Sequence, residues 1–469
     1  MKNILNRLFS IFRRLTPWHG FLIFTLLFVQ FGSKPFNHWK ERGSPFLDDA
    51  EQYYAYLPAT FIHHHADFDY ENGYWGVKGP NGKKVPRFTM GVALMELPFF
   101  LAGHAAARIF NYPLTGYSLP YSIALCWAAV FYVLLGMYGL YKALCRFFHP
   151  RAVVLTLFLL LYATNLLYYT VSFPLMAHAF SFGLFGIFIY AILRCWKDHH
   201  IPSLFTAAAT GGMIVLVRSP DTLLLLVPLF FGIHNREAFR NWWSFLIRNG
   251  RYTVTALALF LALCLLQPLY WHWISGAWFV NTYGDEGFFF ADPQLFNFLF
   301  SYRKGLIPYT PLMVLAFIGF GVLYRKNKEL FWPLLVFTCV NLYLLSCWWD
   351  WSFGGSLGNR ALIQSFAVMA FPLAALIHAL YTRFVTSRSR TVTTGLLLGM
   401  SVLFCAFNFS LIHKYKAGLI HWSNMSREAY WMMMPKWKVT DADREAASHV
   451  WRPVPLENFK KGIGRDDNP

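Results

Sequence analysis

The sequence has few charged residues, which make up 14% of its 469 positions, whereas soluble domains carry roughly 25%. It has no Cys-x-x-Cys pair, and its seven cysteines lie within or beside apolar runs, as small hydrophobic residues do. No small-residue cleavage site follows the apolar segment from Trp18 to Phe31, so this segment is expected to be a retained first helix rather than a signal peptide. The scarcity of charge argues against a soluble protein.

Apolar and aromatic residues are abundant instead. The sequence is 56% hydrophobic and 19% aromatic, and its mean hydropathy is +0.38. A spanning helix needs about 20 mostly apolar residues, and the chain contains many runs close to that length. The pattern therefore predicts an all-α polytopic membrane protein with about eleven transmembrane helices. They are expected at 17–33, 118–144, 152–171, 175–194, 203–218, 221–234, 252–274, 306–324, 331–349, 361–382 and 391–412.

The chain carries a formal net charge of +18. Such a charge can indicate nucleic-acid binding, but the basic residues occur in short clusters between apolar runs, as the positive-inside rule predicts. We therefore expect no nucleic-acid partner, a cytoplasmic N-terminus, an outer C-terminus and a place in the cytoplasmic (inner) membrane. The clusters are Lys2, Arg7, Arg13 and Arg14; Lys142, Arg146 and Arg151; Arg194 and Lys197; Arg236, Arg240, Arg248 and Arg251; Arg325, Lys326 and Lys328; and Arg383, Arg388 and Arg390.

Two segments allow alternative topologies. The run from Phe88 to Phe110 contains three ionisable residues and is interrupted by Pro98, so it either spans the membrane or lies along the interface as an amphipathic helix. A span would split the basic clusters between the two faces, which favours an interfacial helix. The stretch 203–234 is either one kinked helix or two short helices. Two helices keep the clusters together and place Arg218 and Asp221 near the outer end, as an ion pair that must face protein or water.

This topology divides the chain at residue 412. Residues 1–412 form a transmembrane domain that includes a first outer loop at 33–117 with juxtamembrane helices. A second outer loop runs from about 275 to 305, and residues 413–469 form a short outer tail. Most of the acidic residues fall in these three outer regions, where any chemistry that needs carboxylates is expected.

The first outer loop contains a pair of carboxylates, Asp48 and Asp49. A helix that starts near Asp49 places Asp49, Tyr53 and Tyr56 on one face. One interpretation is that Asp48 or Asp49 caps this helix. The other is functional: a carboxylate just above the membrane can act as a general base or hold a metal.

Histidines offer two further candidates. His63, His64 and His65 are followed by Asp67 and Asp69, which allows a metal site, although consecutive histidines do not share a helix face and a solvated cluster is the alternative. His178 lies at the outer end of a predicted helix. It is either a substrate-pocket residue or a hydrogen-bonded structural histidine.

Basic residues are also expected on the outer face, against the general trend. Arg303 and Lys304 directly precede a helix, where they either anchor it by snorkelling or bind an anionic headgroup. The segment from Trp348 to Arg360 contains three closely spaced glycines, which allow a backbone to approach a ligand. Arg360 then opens a helix, so a guanidinium and backbone N–H groups could converge on a phosphate. Trp351 and its neighbours could stack on a sugar, line a lipid groove, or form an interfacial turn.

Taken in order, these motifs resemble the GT-C fold of integral membrane glycosyltransferases. The resemblance is to the family 39-like bacterial members related to protein mannosyltransferases and lipid A aminoarabinose transferases, and it covers roughly residues 15–412. The matching segments are Asp48 and Asp49 with Tyr53-Tyr54-Ala55-Tyr56-Leu57-Pro58; Pro86-Arg87-Phe88-Thr89-Met90-Gly91, similar to a juxtamembrane helix; Asn165-Leu166-Leu167-Tyr168-Tyr169 with Pro174 and His178; Leu216-Val217-Arg218-Ser219-Pro220; Tyr302-Arg303-Lys304-Gly305; and Trp351 to Arg360.

The resemblance implies a reaction. Such enzymes transfer a sugar, with inversion, from a polyprenyl-phosphate donor to a lipid, glycan or protein acceptor at the outer, periplasmic face. It implies that Asp49 is the general base with Asp48 beside it, that Arg303, Lys304 and Arg360 bind the donor phosphate, and that Tyr53, Tyr56, His178, Arg218 and Trp351 line the substrate pocket. Membrane lipids are the other expected partners. No metal ligands are assigned, and a divalent cation is compatible with the sequence but not required by it.

A membrane transporter or lipid flippase is the alternative function. It calls for ionisable groups near the bilayer midplane, or for inverted repeats with broken helices. The segment Arg218-Ser219-Pro220-Asp221 is the candidate break, and no second half of the sequence repeats it.

Overall fold

The computed structural model describes residues 16–32, 45–68, 76–383, 387–438 and 440–465. Within these ranges the regular secondary structure is helical apart from one short β-hairpin and an isolated β-bridge between Phe288 and Trp348, which confirms the predicted all-α class. The α-helices are α1 (Pro17–Leu27), α2 (Asp49–Tyr54), α3 (Gly91–Ile109), α4 (Leu119–Leu144), α5 (Pro150–Tyr162), α6 (Ala177–Asp198), α7 (Pro202–Val217), α8 (Arg236–Arg248), α9 (Gly250–Ser275), α10 (Leu295–Phe300), α11 (Leu306–Tyr309), α12 (Leu312–Lys326), α13 (Lys328–Ser346), α14 (Phe366–Arg383), α15 (Ser387–Lys416), α16 (Arg427–Met433), α17 (Asp441–Val450) and α18 (Leu456–Lys460).

Shorter elements connect these helices. A helical turn at Tyr56–Pro58 extends α2, and π-helical turns occupy Phe28–Gly32, Ala59–His63 and Tyr168–Ser172. Two 3-10 helices span Ser219–Phe230 and Arg360–Leu362. The hairpin pairs β1 (Val77–Lys78) with β2 (Lys84–Val85) in antiparallel register.

Six helices in the described ranges are long and apolar enough to cross a membrane by length and composition, namely α3, α4, α6, α9, α13 and the 391–416 part of α15. Five shorter apolar segments accompany them: Pro17–Phe31, Pro150–Tyr162, Pro202–Val217, Ser219–Phe230 and Phe366–Thr382. The protein is therefore a polytopic membrane protein, as the sequence predicts.

The segment around Pro98 corrects one expectation. Pro98 is predicted to interrupt the helix in this run, but α3 is a continuous helix of 19 residues with Pro98 inside it. A proline removes a single N–H donor from the helical ladder, and close packing against α4 supports the helix at Gly103, which has no room for a side chain beside Tyr121. Length and composition allow α3 to cross a membrane. The interfacial placement rests on loop charge and remains a prediction.

The stretch 203–234 forms two helices, as predicted. α7 ends at Arg218, whose extended backbone (φ −155°, ψ 120°) separates it from the 3-10 helix Ser219–Phe230. This second helix begins near the start of α6, where Arg218 contacts His178, and the ring of Phe231 just beyond it stacks on Trp196 near the other end of α6. The chain therefore reverses direction at Arg218 and returns along α6.

Glycines bring two of the spanning helices into close contact. A β-carbon on Gly136 of α4 would lie 2.6 Å from the α-carbon of Gly183 in α6, and one on Gly186 would lie 2.2 Å from the backbone oxygen of Gly136. Small residues at such crossings let helix backbones approach closely in membranes. This contact fixes α6, whose first turn carries His178, against the rest of the bundle.

Candidate active site

An ion pair joins the first outer loop to the turn before α14. Asp49 is the first residue of α2, and its Oδ2 lies 2.9 Å from a guanidinium nitrogen of Arg360, which opens the 3-10 turn Arg360–Leu362. The side chain of Arg360 is 18% exposed and that of Asp49 is 31% exposed. Burial opposes the charge of Arg360, but Asp49 and two nearby tyrosines outweigh it, so the pKa of Arg360 is raised. The structure thus brings together two predicted site residues.

Asp48 has a different environment. Its side chain is exposed and makes no capping hydrogen bond to α2, and its backbone adopts a positive φ of 52°. A helix-capping role for Asp48 is therefore not realised in this structure. The neighbouring Asp49 pairs with Arg360.

The two predicted tyrosines share one neighbour. The ring of Tyr53 stacks on Phe88 with 4.3 Å between centroids, and the hydroxyl of Tyr56 donates to the backbone oxygen of Phe88 at 2.7 Å. Gln267 of α9 donates to the same hydroxyl at 3.4 Å and accepts from the backbone N–H of Met90 at 2.8 Å. Burial raises the pKa of Tyr53, so its phenol stays protonated and forms a neutral wall beside Asp49. The segment predicted to resemble a juxtamembrane helix is here the loop that leads into α3.

Arg218 and His178 form a second cluster. Arg218 donates to Nδ1 of His178 at 3.2 Å and lies 3.4 Å from Asp221, which is the buried ion pair that the sequence predicts. Gln364 donates to Asp221 at 2.7 Å and belongs to the segment just after Arg360. Because Arg218 donates to Nδ1, the proton of a neutral His178 must sit on Nε2. A chain of polar contacts therefore runs from the Arg218 cluster to the segment that carries Arg360.

The structure buries Arg303 and Lys304, which the sequence assigns to the donor phosphate. Both side chains have no exposed surface. Lys304 donates to the backbone oxygens of Ser356 and His421, the latter at 3.4 Å. Arg303 donates to the backbone oxygen of Arg452 at 3.4 Å. Burial, followed by the charge of Arg360, lowers the pKa of Lys304 to about 7. In this structure Lys304 joins the loop that carries Arg360 to His421, and Arg303 contacts Arg452. The role of both residues in phosphate binding remains a prediction.

Trp351 is buried as well. Its indole N–H donates to the backbone oxygen of Arg465 at 2.8 Å. The guanidinium of Arg465 in turn donates to the backbone oxygens of Trp348 at 2.8 Å and Asp292 at 2.7 Å. Trp422 and Arg465, from the segment expected to form a short outer tail, thus contact the loop that carries Arg360. The proposed division of the chain at residue 412 remains a prediction.

Three further residues lie near Arg360 that were not predicted as site residues: Tyr169, Asn165 and Asn359. Tyr169, in the π-helical turn Tyr168–Ser172, accepts from the backbone N–H of Leu357 at 3.2 Å, and Asn165 donates to the backbone oxygen of Leu357 at 3.0 Å. Asn359 is buried, and within the described chain neither polar atom of its side chain has a hydrogen-bond partner. Tyr169 and Asn165 belong to one of the resemblance motifs, which was the available signal for them.

The histidine-rich segment lies apart from this cluster. His63, His64 and His65 are exposed, and Asp67 pairs with Lys83 at 3.0 Å. Asp69 lies outside the described residues. Among the residues that the structure describes, no group of three or more His, Cys, Asp or Glu side chains is arranged to hold a metal ion.

The fold and this cluster define an all-α polytopic membrane protein with a charged, partly exposed site at one end of its helices. Neither a family model nor a curated protein matches the sequence. Its fold is similar to that of the archaeal oligosaccharyltransferase AglB from Archaeoglobus fulgidus in complex with an inhibitory peptide and a dolichol-phosphate, at 14% identity and a TM-score of 0.49, covering 87% of this chain and 56% of that chain.

Two further structures of the Archaeoglobus fulgidus oligosaccharyltransferase are similar to the same extent. The form tethered with an acceptor peptide has 13% identity and a TM-score of 0.48, covering 87% of this chain and 55% of that chain. The apo form has 13% identity and a TM-score of 0.46, covering 90% and 56%. The chain thus spans little more than half the length of these proteins.

Proposed function

We propose that this protein is a membrane glycosyltransferase of the GT-C type, which transfers a sugar from a polyprenyl-phosphate donor to an acceptor hydroxyl with Asp49 as the general base. The observation that carries the proposal is the pairing of Asp49 with Arg360. A carboxylate that can accept a proton and a guanidinium that can hold a phosphate lie 2.9 Å apart, and both are partly exposed. Inverting transfer from a lipid phosphate needs both groups in one site, the base on the acceptor side of the anomeric carbon and the cation on the phosphate side.

Each group has one task in the reaction. The acceptor hydroxyl gives its proton to Asp49 while its oxygen forms a bond to the anomeric carbon of the donor sugar. The bond from that carbon to the phosphate oxygen breaks on the opposite side, and its electron pair leaves with the lipid phosphate, so the configuration inverts. Arg360 stabilises the additional negative charge of the leaving phosphate, and a cation fixed in place before the reaction is an efficient way to do so.

The ion pair also implies that donor binding precedes proton abstraction by Asp49. Without a donor, the Asp49 carboxylate accepts a charge-assisted hydrogen bond from Arg360, which occupies one of its oxygens. A donor phosphate competes for the same guanidinium. Its binding to Arg360 would release the carboxylate for the acceptor, so proton abstraction would be coupled to donor binding.

The neighbouring residues complete the pocket. Tyr53 and Phe88 form an aromatic wall beside Asp49. Arg218 and His178, linked to the Arg360 segment through Asp221 and Gln364, provide polar groups for the sugar hydroxyls. Trp351, Arg303 and Lys304 support the loop that carries Arg360. The acceptor is a lipid, a glycan or a protein, and the site faces the periplasm from the inner membrane.

A two-part reconstitution tests this function. Purified protein is incubated with a polyprenyl-phosphate-linked sugar and candidate hydroxyl acceptors, and the release of polyprenyl phosphate is measured. A glycosyltransferase releases it only when an acceptor is present. In parallel, the protein is placed in liposomes with the labelled donor. Movement of intact donor across the bilayer without any release of sugar would show a flippase and would contradict the proposal.

A further inference from the structure

We propose that α8 is a binding surface for anionic phospholipid headgroups, located in the leaflet opposite to the candidate active site. The sequence of this helix, Arg-Glu-Ala-Phe-Arg-Asn-Trp-Trp-Ser-Phe-Leu-Ile-Arg, contains three arginines and a single acid, Glu237. This inference does not depend on the proposed catalytic function, because it concerns a different part of the molecule.

The helix has a buried side and an exposed side. On the buried side Trp242 and Phe245 pack on the protein, and the indole N–H of Trp242 donates to the backbone oxygen of Pro228 at 3.0 Å. The exposed side carries apolar and basic residues together: Phe239 is 38% and Ile247 is 77% exposed, and Arg236 and Arg240 flank Ile247 at helical spacing. A helix held on protein, whose exposed side combines apolar and basic residues, fits the boundary between lipid tails and headgroups.

The surface is rigidly held before any lipid binds. The side chain of Asn235 caps the helix by accepting from the backbone N–H of Glu237 at 2.8 Å. The ring of Phe231 lies 5.9 Å from that of Trp242, and the ring of Phe245 lies 4.9 Å from that of His199. Ordering costs on binding are therefore small, which favours affinity.

Two neighbouring helices place α8 at the far end of the bundle. α9 begins at Gly250, next to α8, and its Gln267 reaches Tyr56 beside the candidate site. A rise of 1.5 Å per residue puts about 26 Å between Gly250 and Gln267. α6 gives a similar span, since His178 belongs to the site cluster and Trp196 stacks on Phe231 beside α8. This distance is close to the roughly 30 Å thickness of a bilayer core.

The lipid-facing surface of α9 fixes the level of the membrane next to α8. Few residues in the apolar part of α9 are buried. A stripe of exposed residues runs along the helix at helical spacing: Val254, Leu257, Leu261, Leu265 and Leu269. Arg248 and Arg251 lie just beyond the α8 end of this stripe. Basic residues at the end of a lipid-facing stripe are at the depth of the headgroups.

The charges on α8 are not neutralised by the protein. Arg236, Arg240 and Arg248 are exposed, and within the described part of the chain none of them forms an ion pair. Other basic residues at the same end of the bundle form ion pairs: Arg146 pairs with Asp198, and Lys197 pairs with Glu329. The positive surface of α8 is thus complementary to a negatively charged lipid.

The test compares two lipids and two matched variants. Thermal unfolding of the detergent-purified protein is followed while dioleoyl-phosphatidylglycerol or dioleoyl-phosphatidylcholine is titrated. The parent is expected to gain more stability from the anionic lipid. The triple variant Arg236→Gln, Arg240→Gln, Arg248→Gln should lose this difference, with apparent affinity for phosphatidylglycerol about tenfold or more weaker. The control variant Arg427→Gln, Lys438→Gln, Lys461→Gln removes the same charge from exposed tail positions and should behave like the parent.

Two further variants keep the inference testable. Replacing the three arginines by lysine should retain most of the lipid preference, because the interaction depends on charge. If the triple glutamine variant does not fold, Arg240→Gln and Arg248→Gln are measured singly, and each should weaken phosphatidylglycerol binding severalfold. An unchanged preference for phosphatidylglycerol in the folded glutamine variants would overturn the proposal. So would a loss of self-association without a loss of lipid preference, which would indicate that α8 binds a second copy of the chain.

Discussion

Asp49 and Arg360 form an ion pair of 2.9 Å between the first outer loop and the turn that leads into α14. No other described acid contacts the guanidinium of Arg360. Both side chains retain some exposure, so a ligand can reach them, and both belong to short helical elements that fix their direction. A base and a phosphate-binding cation held together in this way are the centre of the proposed reaction.

Arg360 is expected to dominate donor binding. Arg360→Ala should weaken the binding of a polyprenyl phosphate by about 1.5–3 kcal/mol, the scale of a hydrogen bond to a charged group. Arg360→Lys should recover part of this loss, because an ammonium restores the charge but not the bidentate geometry. Binding is measured by titration of the purified protein, with the exposed Arg427→Ala as the control. Unchanged affinity in Arg360→Ala would remove this residue from the site.

Lys304 should make the stability of the protein depend on pH. Its pKa in the folded state is about 7, below the value of about 10.4 for an unfolded lysine. Between these values the unfolded chain binds more protons than the folded chain, so stability should rise as the pH increases from about 7 towards 10. In Lys304→Met this contribution disappears and the thermal midpoint should rise less over the same range. Equal slopes in the two proteins would argue that Lys304 keeps an ordinary pKa.

Arg465 is expected to hold the loop that carries Trp348 and Trp351. It is 1% exposed and donates to several backbone oxygens, so its removal deletes several hydrogen bonds from a charged donor. Arg465→Ala should cost about 2–4 kcal/mol of stability, seen as a lower thermal midpoint, whereas the exposed Lys461→Ala should change it little. If both variants melted like the parent, the contact between the tail and this loop would contribute nothing to stability.

The topology predicts opposite accessibility for the two ends of the bundle. In a protein with its native cysteines replaced, Asp48→Cys and Arg240→Cys are labelled in sealed vesicles with a membrane-impermeant maleimide. Because Asp48 lies beside the candidate site and Arg240 lies on α8, one position should react from the outside and the other only after the membrane is opened. Labelling of both from the same side would contradict the arrangement of α6 and α9 described above.

The sequence predicts much of this architecture because apolar runs and basic clusters respond to local physics. The positions of the apolar helices and the reversal at Arg218 follow from run length and loop charge. Asp49 and Arg360 are expected on the same face, but the contact between them is not predicted by that expectation. Pro98 was misjudged, because its local cost as a helix breaker is outweighed by the packing of α3 on α4, which no local pattern records.

The sequence does not predict that Arg303 and Lys304 are buried. Lys304 turns inward because the backbone oxygens of Ser356 and His421 accept hydrogen bonds from its Nζ, and His421 belongs to the tail. Trp351 is buried because Arg465, near the end of the described chain, accepts from its indole. These contacts join segments far apart in sequence, so a pattern read along one loop predicts an exposed cation or ring where the fold has an internal one.

The most direct test of the central claim compares Asp49→Asn with Asp48→Asn. Asparagine preserves the shape of aspartate, and its amide oxygen can still accept a hydrogen bond from Arg360 at position 49, so both variants should fold. We expect Asp49→Asn to lose about 10²–10⁴-fold in the rate of sugar transfer from a polyprenyl-phosphate donor, the usual effect of removing a positioned base, while Asp48→Asn keeps most of its activity. A stable Asp49→Asn protein with the full transfer rate would contradict the account.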